Sequence, residues 1–226
     1  MTRILTIQRD LHAPARLAAD EFRAALAARG TLVVNLFSSP GSGKTSLLVA
    51  LAQHWQGARS AGVLVGDIAT NRDAERLAPH LPAVQLTTGG ACHLELALVQ
   101  RGWQALDTPA LDFLFVENVG NLICPAAHDL GEHLRVVVLS TTEGDDKPAK
   151  YPKAFTTSQA LVISKIDLLP LVPFSVAAAV QDATALQPLL TTWPVSAQSG
   201  AGIAEFADYL CACRAQLLRE TSHARA

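Results

Sequence analysis

Thr31-Leu-Val-Val-Asn-Leu-Phe-Ser-Ser-Pro-Gly-Ser-Gly-Lys-Thr45 joins a buried-strand pattern to a glycine-rich turn with nothing between them. Thr31 to Phe37 is a short run of β-branched and apolar residues, interrupted once by Asn35, of the kind that fills an interior strand. Ser46 to Trp55, beyond the turn, reads as a helix. Strand, glycine-rich turn and helix in that order cradle anions. Gly41 and Gly43 let backbone N–H groups turn inward, and the helix beginning near Lys44 adds the positive end of its dipole. The spacing therefore predicts a phosphate-binding loop at the carboxyl end of a strand.

The same alternation extends in both directions. Residues 13–29 read as a leading helix with Leu17, Phe22 and Leu26 at helical spacing, stopped by Gly30. Further strands are predicted at 62–66, 83–86, 112–117, 134–140 and 161–164, with helical patterns between most of them and an amphipathic helix from about Ile203 to Arg219. This is an α/β chain: a three-layer P-loop NTPase fold with a mostly parallel sheet covered by helices on both faces. One domain is expected over 1–226, with a leading helix within 1–30, the nucleotide domain at 31–219 and a disordered tail at 220–226. The 226 residues, 50% hydrophobic and 17% charged, are enough for one such core. A net charge of −2 argues against a nucleic-acid partner. No apolar run approaches the roughly 18 residues of a membrane span. No secretory leader is visible at the start, so the expected location is cytoplasmic, where the four cysteines serve as ligands or packed thiols.

Around the turn, Pro40, Gly41, Ser42, Gly43, Lys44, Thr45 and Ser46 form the expected nucleotide cradle, although Ser38 stands where the usual pattern has its first glycine. Lys44 would reach the β- and γ-phosphates and the Thr45 hydroxyl would hold Mg²⁺. Asp67 and Glu117, each at the end of a predicted strand, are candidates to bind Mg²⁺ or to orient the attacking water, which makes Lys44, Asp67 and Glu117 the candidate catalytic set. Asp73, at a helix start, is a weaker third carboxylate. Glu117-Asn-Val-Gly120 has the spacing by which the Gly120 N–H senses a γ-phosphate. Lys165 and Asp167 in Ser164-Lys-Ile-Asp167 read as a guanine site, because a carboxylate accepts from both donors on that edge of guanine and adenine offers neither. Ser196 and Ala197 would contact the guanine carbonyl. Ser164 replaces the asparagine usual there, and the expectation is that a brace to the phosphate loop is lost and affinity weakened.

Cys92 and His93 follow a double glycine and are expected at a helix start, where the dipole favours thiolate. Cys124, ahead of Pro125, is expected on a loop at the same sheet edge. Two thiolates and an imidazole suit Zn²⁺ or Ni²⁺, while two packed thiols and a capping histidine are the plainer alternative. Cys211 and Cys213, two apart on a helix, cannot chelate one ion together. His128 and His133 flank Asp129 near Cys124 and read as solvated loop histidines, with auxiliary metal ligation the alternative.

Ser38-Ser-Pro-Gly-Ser-Gly-Lys-Thr45, Gly66-Asp-Ile-Ala-Thr70, Thr88-Gly-Gly-Ala-Cys-His-Leu94, Glu117-Asn-Val-Gly-Asn-Leu-Ile-Cys-Pro125, Thr142-Glu-Gly-Asp-Asp-Lys-Pro148 and Lys165-Ile-Asp-Leu-Leu-Pro170 together resemble the HypB family of GTPases, from about residue 13 to 219. The resemblance implies a slow GTPase that helps insert nickel during [NiFe]-hydrogenase maturation and dimerises with GTP. It implies Ni²⁺ or Zn²⁺ bound at the dimer interface by Cys92, His93 and Cys124 of each subunit, with Mg²⁺ and GTP or GDP at the cradle. Its implied partners are a second copy, other hydrogenase maturation proteins and the hydrogenase large subunit. The related urease accessory GTPase carries a Cys-Pro-His element that this sequence lacks. Residues 1–30 hold only His12 and no cysteine, so metal handling would rest on the nucleotide domain. Lys147, Lys150 and Lys153 are candidates to reach a partner's nucleotide. A metal-binding adaptor with a purely structural nucleotide site is the rival; an ATP-dependent kinase is a third reading, opposed by Asp167.

Overall fold

Strands and helices alternate along the chain because apolar runs of four to eight residues are punctuated by amphipathic ones. The structure is a computed structural model and describes residues 13–67, 71–108 and 110–223. In order, the elements are α1 (Ala13–Ala28), β1 (Leu32–Ser38), α2 (Lys44–Trp55), β2 (Ala61–Asp67), α3 (Arg72–Leu77), β3 (Ala83–Thr87), α4 (Leu96–Ala105), β4 (Phe113–Gly120), β5 (Leu134–Ser140), α5 (Lys147–Lys150), α6 (Pro152–Thr156), β6 (Ala160–Ser164), α7 (Val176–Leu186), β7 (Thr191–Pro194) and α8 (Ile203–His223). The strands form one sheet in the order β3-β2-β4-β1-β5-β6-β7, and every pairing among them is parallel. Strand order reverses around β1, and the crevice outside its carboxyl end is where such sheets bind ligands.

Alternation along β1 divides the core. Val34 and Leu36 pack with Leu47, Leu48 and Leu51 of α2 and with Phe206 and Leu210 of α8. Val33 turns to the other face, beside Phe22 and Leu26 of α1 and Val99 of α4, and Phe37 packs with Phe155 of α6 and Ala179 of α7. On β4, Phe113 and Phe115 lie on the α2 side, where Trp55 stacks on Phe113 with centroids 4.9 Å apart, while Leu114 and Val116 face α1 and α4.

Three details differ from the sequence reading. β4 continues three residues past Glu117, because Leu36 and Ser38 of β1 still pair with Glu117 and Gly120 across a register shift. β7, a four-residue edge strand containing a proline, carries too weak a pattern to read. α8 runs to His223, so the tail expected from 220 is helical as far as the described residues go; 224–226 lie outside them, as do 1–12, where the leader was sought and His12 lies.

Candidate functional site

β1 delivers the chain to the cradle and α2 takes it away. Gly41 and Gly43 sit at φ +72° and +96°, the left-handed region that L side chains avoid. Ser38, wholly buried, is the hub of the turn: its Oγ accepts from Lys44 Nζ at 2.9 Å and from the Ser42 hydroxyl, and donates to the Ser39 carbonyl at 2.8 Å. Burial pulls the Lys44 ammonium below its ordinary value, opposed chiefly by the charge of Glu117. The Thr45 hydroxyl donates to Glu117 Oε1 at 2.7 Å, while Glu117 Oε2 is buried with no hydrogen-bond partner among the described residues. Burial pushes this carboxyl up to about 7 against the pull of Lys44 and Thr45. A hydroxyl and an orphaned carboxylate oxygen at one point are the donor set a small divalent cation needs, so these residues fit Mg²⁺. Asp67 closes β2 on the same edge, and its charge acts on Lys44. Asp73 pairs with Arg76 at 3.5 Å, and Arg76 also donates to Ser46 Oγ at 3.1 Å. Gly120 presses on the cradle: a Cβ there would lie 2.9 Å from Pro40 Cα.

A cavity of about 510 Å³ runs from Gly43 and Ser46 past Arg76 to Lys165, Asp167 and Ala197. Asp167 Oδ1 accepts the Ser196 hydroxyl, which fixes the carboxylate's orientation. Lys165 adopts φ +60°, and its ammonium donates to the Gly41 carbonyl at 2.8 Å. The brace expected to be missing is present, because Ser164 Oγ donates to the Ser42 carbonyl at 2.6 Å. β6 approaches the turn closely enough for a serine to span the gap.

On the opposite side of β4, Cys92, His93 and Cys124 bring three ligand atoms within 4.8 Å of one another. The Cys92 thiol donates to Cys124 Sγ at 2.7 Å and lies 3.7 Å from His93 Nδ1. The helix start expected here is absent: α4 begins at Leu96, and Cys92 lies in a bend before it. The thiol's pKa is accordingly raised, first by its hydrogen bond to Cys124. Two sulfurs and a ring nitrogen at this spacing can take a soft or borderline cation that displaces the shared proton. His93 stacks on His128 with centroids 3.8 Å apart. His133 stands apart from the cluster: its Nδ1 accepts from Val33 N–H at 2.9 Å and its Nε2 bonds the Arg23 carbonyl at 3.1 Å. Burial pushes it down to about 4. Lys147 pairs with Glu143 at 3.5 Å and Lys150 with Asp146 at 2.5 Å, within the chain. Cys211 and Cys213 are half-buried against the core.

Arg76, Asn118, Asn121 and the His93–His128 stack are absent from the sequence reading. The asparagines lie inside the motif that carries Glu117, Gly120 and Cys124, and nothing in its spacing marks them. Asn118 Oδ1 accepts from Leu94 N–H at 3.4 Å and Asn121 Nδ2 donates to the Cys92 carbonyl at 3.3 Å.

The family model described as CobW/HypB/UreG, nucleotide-binding domain, matches residues 32–193. Hydrogenase maturation factor HypB of Azotobacter vinelandii is 42% identical over 219 residues, covering 96% of this chain and 72% of the relative. Hydrogenase/urease maturation factor HypB of Helicobacter hepaticus is 42% identical over 205 residues, covering 88% of this chain and 84% of the relative. Among solved structures, HypB from Helicobacter pylori in complex with nickel has a TM-score of 0.84 at 36% identity, covering 90% of this chain and 96% of that one.

Proposed function

The chain belongs to the HypB branch of the CobW/HypB/UreG nucleotide-binding family, and on that premise we propose that it is a GTP-hydrolysing metallochaperone that carries nickel to a [NiFe]-hydrogenase in maturation. One observation carries the reading: β4 borders both sites. Its alternation turns Glu117 to Thr45 on the α2 face and Asn118 to the Cys92–Leu94 turn on the other, and the same chain goes on to Cys124. A nucleotide that pulls on Glu117 therefore pulls on a strand that also holds the metal cluster. Affinities at the two sites are then linked, and the linkage is reciprocal.

Asp167, held by Ser196, accepts from the two donors of guanine, and Lys165 packs along the cradle. Lys44 leaves Ser38 Oγ for the phosphates, which restores an anionic partner to a buried ammonium. Thr45, Asp67 and Glu117 would hold Mg²⁺, which supplies charge neutralisation for the transferring phosphoryl group. Asp67 orients the water that attacks the γ-phosphorus, releasing GDP and phosphate without a covalent intermediate. Cys92 and Cys124, deprotonated, and His93 hold Ni²⁺ or Zn²⁺ as cargo. Three ligands per chain leave the ion's shell open, and Ile123, 64% exposed beside Cys124, offers an apolar contact through which a second copy closes it. The partners are the other hydrogenase maturation proteins and the hydrogenase large subunit. The name of the Helicobacter hepaticus relative makes a urease the second client to test.

The test is the Ni²⁺ affinity of the protein saturated with Mg·GDP against that with a non-hydrolysable GTP analogue. A several-fold difference, abolished by Cys124→Ala, is expected. Equal affinities would leave a metal adaptor with a structural nucleotide.

A further inference from the structure

Cys92 and Cys124 belong to separate stretches of chain, and the first of them follows a glycine-rich turn. It follows Gly89 and Gly90 at φ +64° and +104°, and α4 starts only at Leu96. A turn with two glycines loses much conformational entropy when it orders, and that loss weakens any ligand it must close around. One side chain spans both stretches. Asn121 Oδ1 accepts from Ile123 N–H at 2.8 Å, fixing the residue ahead of Cys124, while its Nδ2 donates to the Cys92 carbonyl at 3.3 Å. Asn118, buried on β4, takes Leu94 N–H at 3.4 Å and donates to Asn35 Oδ1 at 3.3 Å. His93 is thus flanked by two residues whose backbones are each bonded to an amide side chain, one from β4 and one from the loop that leads to Cys124.

We propose that Asn121, seconded by Asn118, is a positioning residue of the metal centre: an amide clamp that holds the Cys92–His93 turn against the Cys124 loop. The inference rests on the reading of Cys92, His93 and Cys124 as metal ligands. The job needs an amide. A carboxylate has no donor for the Cys92 carbonyl, and a serine hydroxyl can take Ile123 N–H within its own turn but cannot reach Cys92. Neither asparagine offers a thiolate or imidazole to the ion, so both act through the ligands' placement.

The experiment measures Ni²⁺ affinity and the sulfur-to-nickel charge-transfer absorbance of the full chain as wild type, Asn121→Ala, Asn121→Ser and Cys124→Ala, with GDP affinity as the folding control. Partners of this kind typically change metal affinity ~10–100-fold. Asn121→Ala is expected to weaken Ni²⁺ by roughly that factor and to alter the charge-transfer band, with GDP affinity unchanged. Asn121→Ser, which keeps the Cys124 turn, should be weakened as well, separating loss of the clamp from loss of the loop. Wild-type Ni²⁺ affinity in either Asn121 variant, while Cys124→Ala loses binding, overturns the clamp alone. Wild-type affinity in Cys124→Ala removes the metal reading and the clamp with it.

Discussion

At the scale of single residues, Glu117 concentrates the chemistry of the nucleotide site. Its carboxyl is buried, holds Thr45 with one oxygen, leaves the other without a partner among the described residues, and is pushed by burial up to about 7. Glutamine at 117 keeps the shape and an acceptor for Thr45 but cannot offer the second oxygen to a cation. Glu117→Gln should therefore fold with a melting temperature close to wild type, since a side chain already tending to neutrality is replaced by a neutral one. The additional thermal stabilisation that Mg²⁺ gives the nucleotide-bound protein should disappear, and phosphate release should fall by ~100-fold. Thermal melts with nucleotide, with and without Mg²⁺, check this; an undiminished Mg²⁺ increment would exclude Glu117 from the cation site. Ser164 carries the opposite lesson. Its identity suggested a lost contact, and its distance from Ser42 supplies one.

At the scale of elements, α1 is fastened to the sheet by His133. The imidazole accepts from β1 at Val33 and bonds the α1 carbonyl of Arg23, an arrangement open only to the neutral ring. The folded histidine titrates near 4 and the unfolded one at the ordinary 6.5, so between those values the unfolded chain binds more protons. Stability from this residue is full above about 6.5 and is lost as pH falls toward 4, a change of order 2–3 kcal/mol. Urea unfolding of wild type and His133→Phe across this range should show their stability difference shrinking on acidification; a constant difference would sink the assignment. β4 meets a different constraint. Gly120 lies so near Pro40 that Gly120→Ala must displace backbone, and nucleotide affinity should drop at least ~10-fold while Cys92, His93 and Cys124 are themselves unchanged. Calorimetric titration with GDP checks it.

At the scale of the whole molecule, the proposed three-ligand site at Cys92, His93 and Cys124 and the exposed Ile123 beside it predict that a GTP analogue with Mg²⁺ doubles the sedimenting mass while GDP does not, and that Ile123→Asp prevents the doubling. A monomer in both states would confine the cargo to one chain. Six of the seven strands, the glycine-rich turn at Gly41–Thr45, the placement of Asp167 beside it and the grouping of Cys92, His93 and Cys124 were legible in the sequence, because each depends on local spacing or on a short motif placed after a strand. The thiolate preference expected for Cys92 fails because it depends on a local signal for a helix start, and the helix begins four residues later. Likewise Asn121 and Asn118 look unremarked in sequence, and their roles depend on which backbone groups a parallel sheet brings to their amides. The sequence by itself determined the fold class and the chemical inventory, since periodicity and motif spacing are properties of neighbouring residues. Only the tertiary structure decided that β4 serves two sites on its two faces, that Ser164 still braces the cradle, and that His133 fastens a helix rather than a metal. Those outcomes are set by distances of about 3 Å between groups far apart in the chain, and a hydrogen bond is won or lost within a few tenths of an ångström.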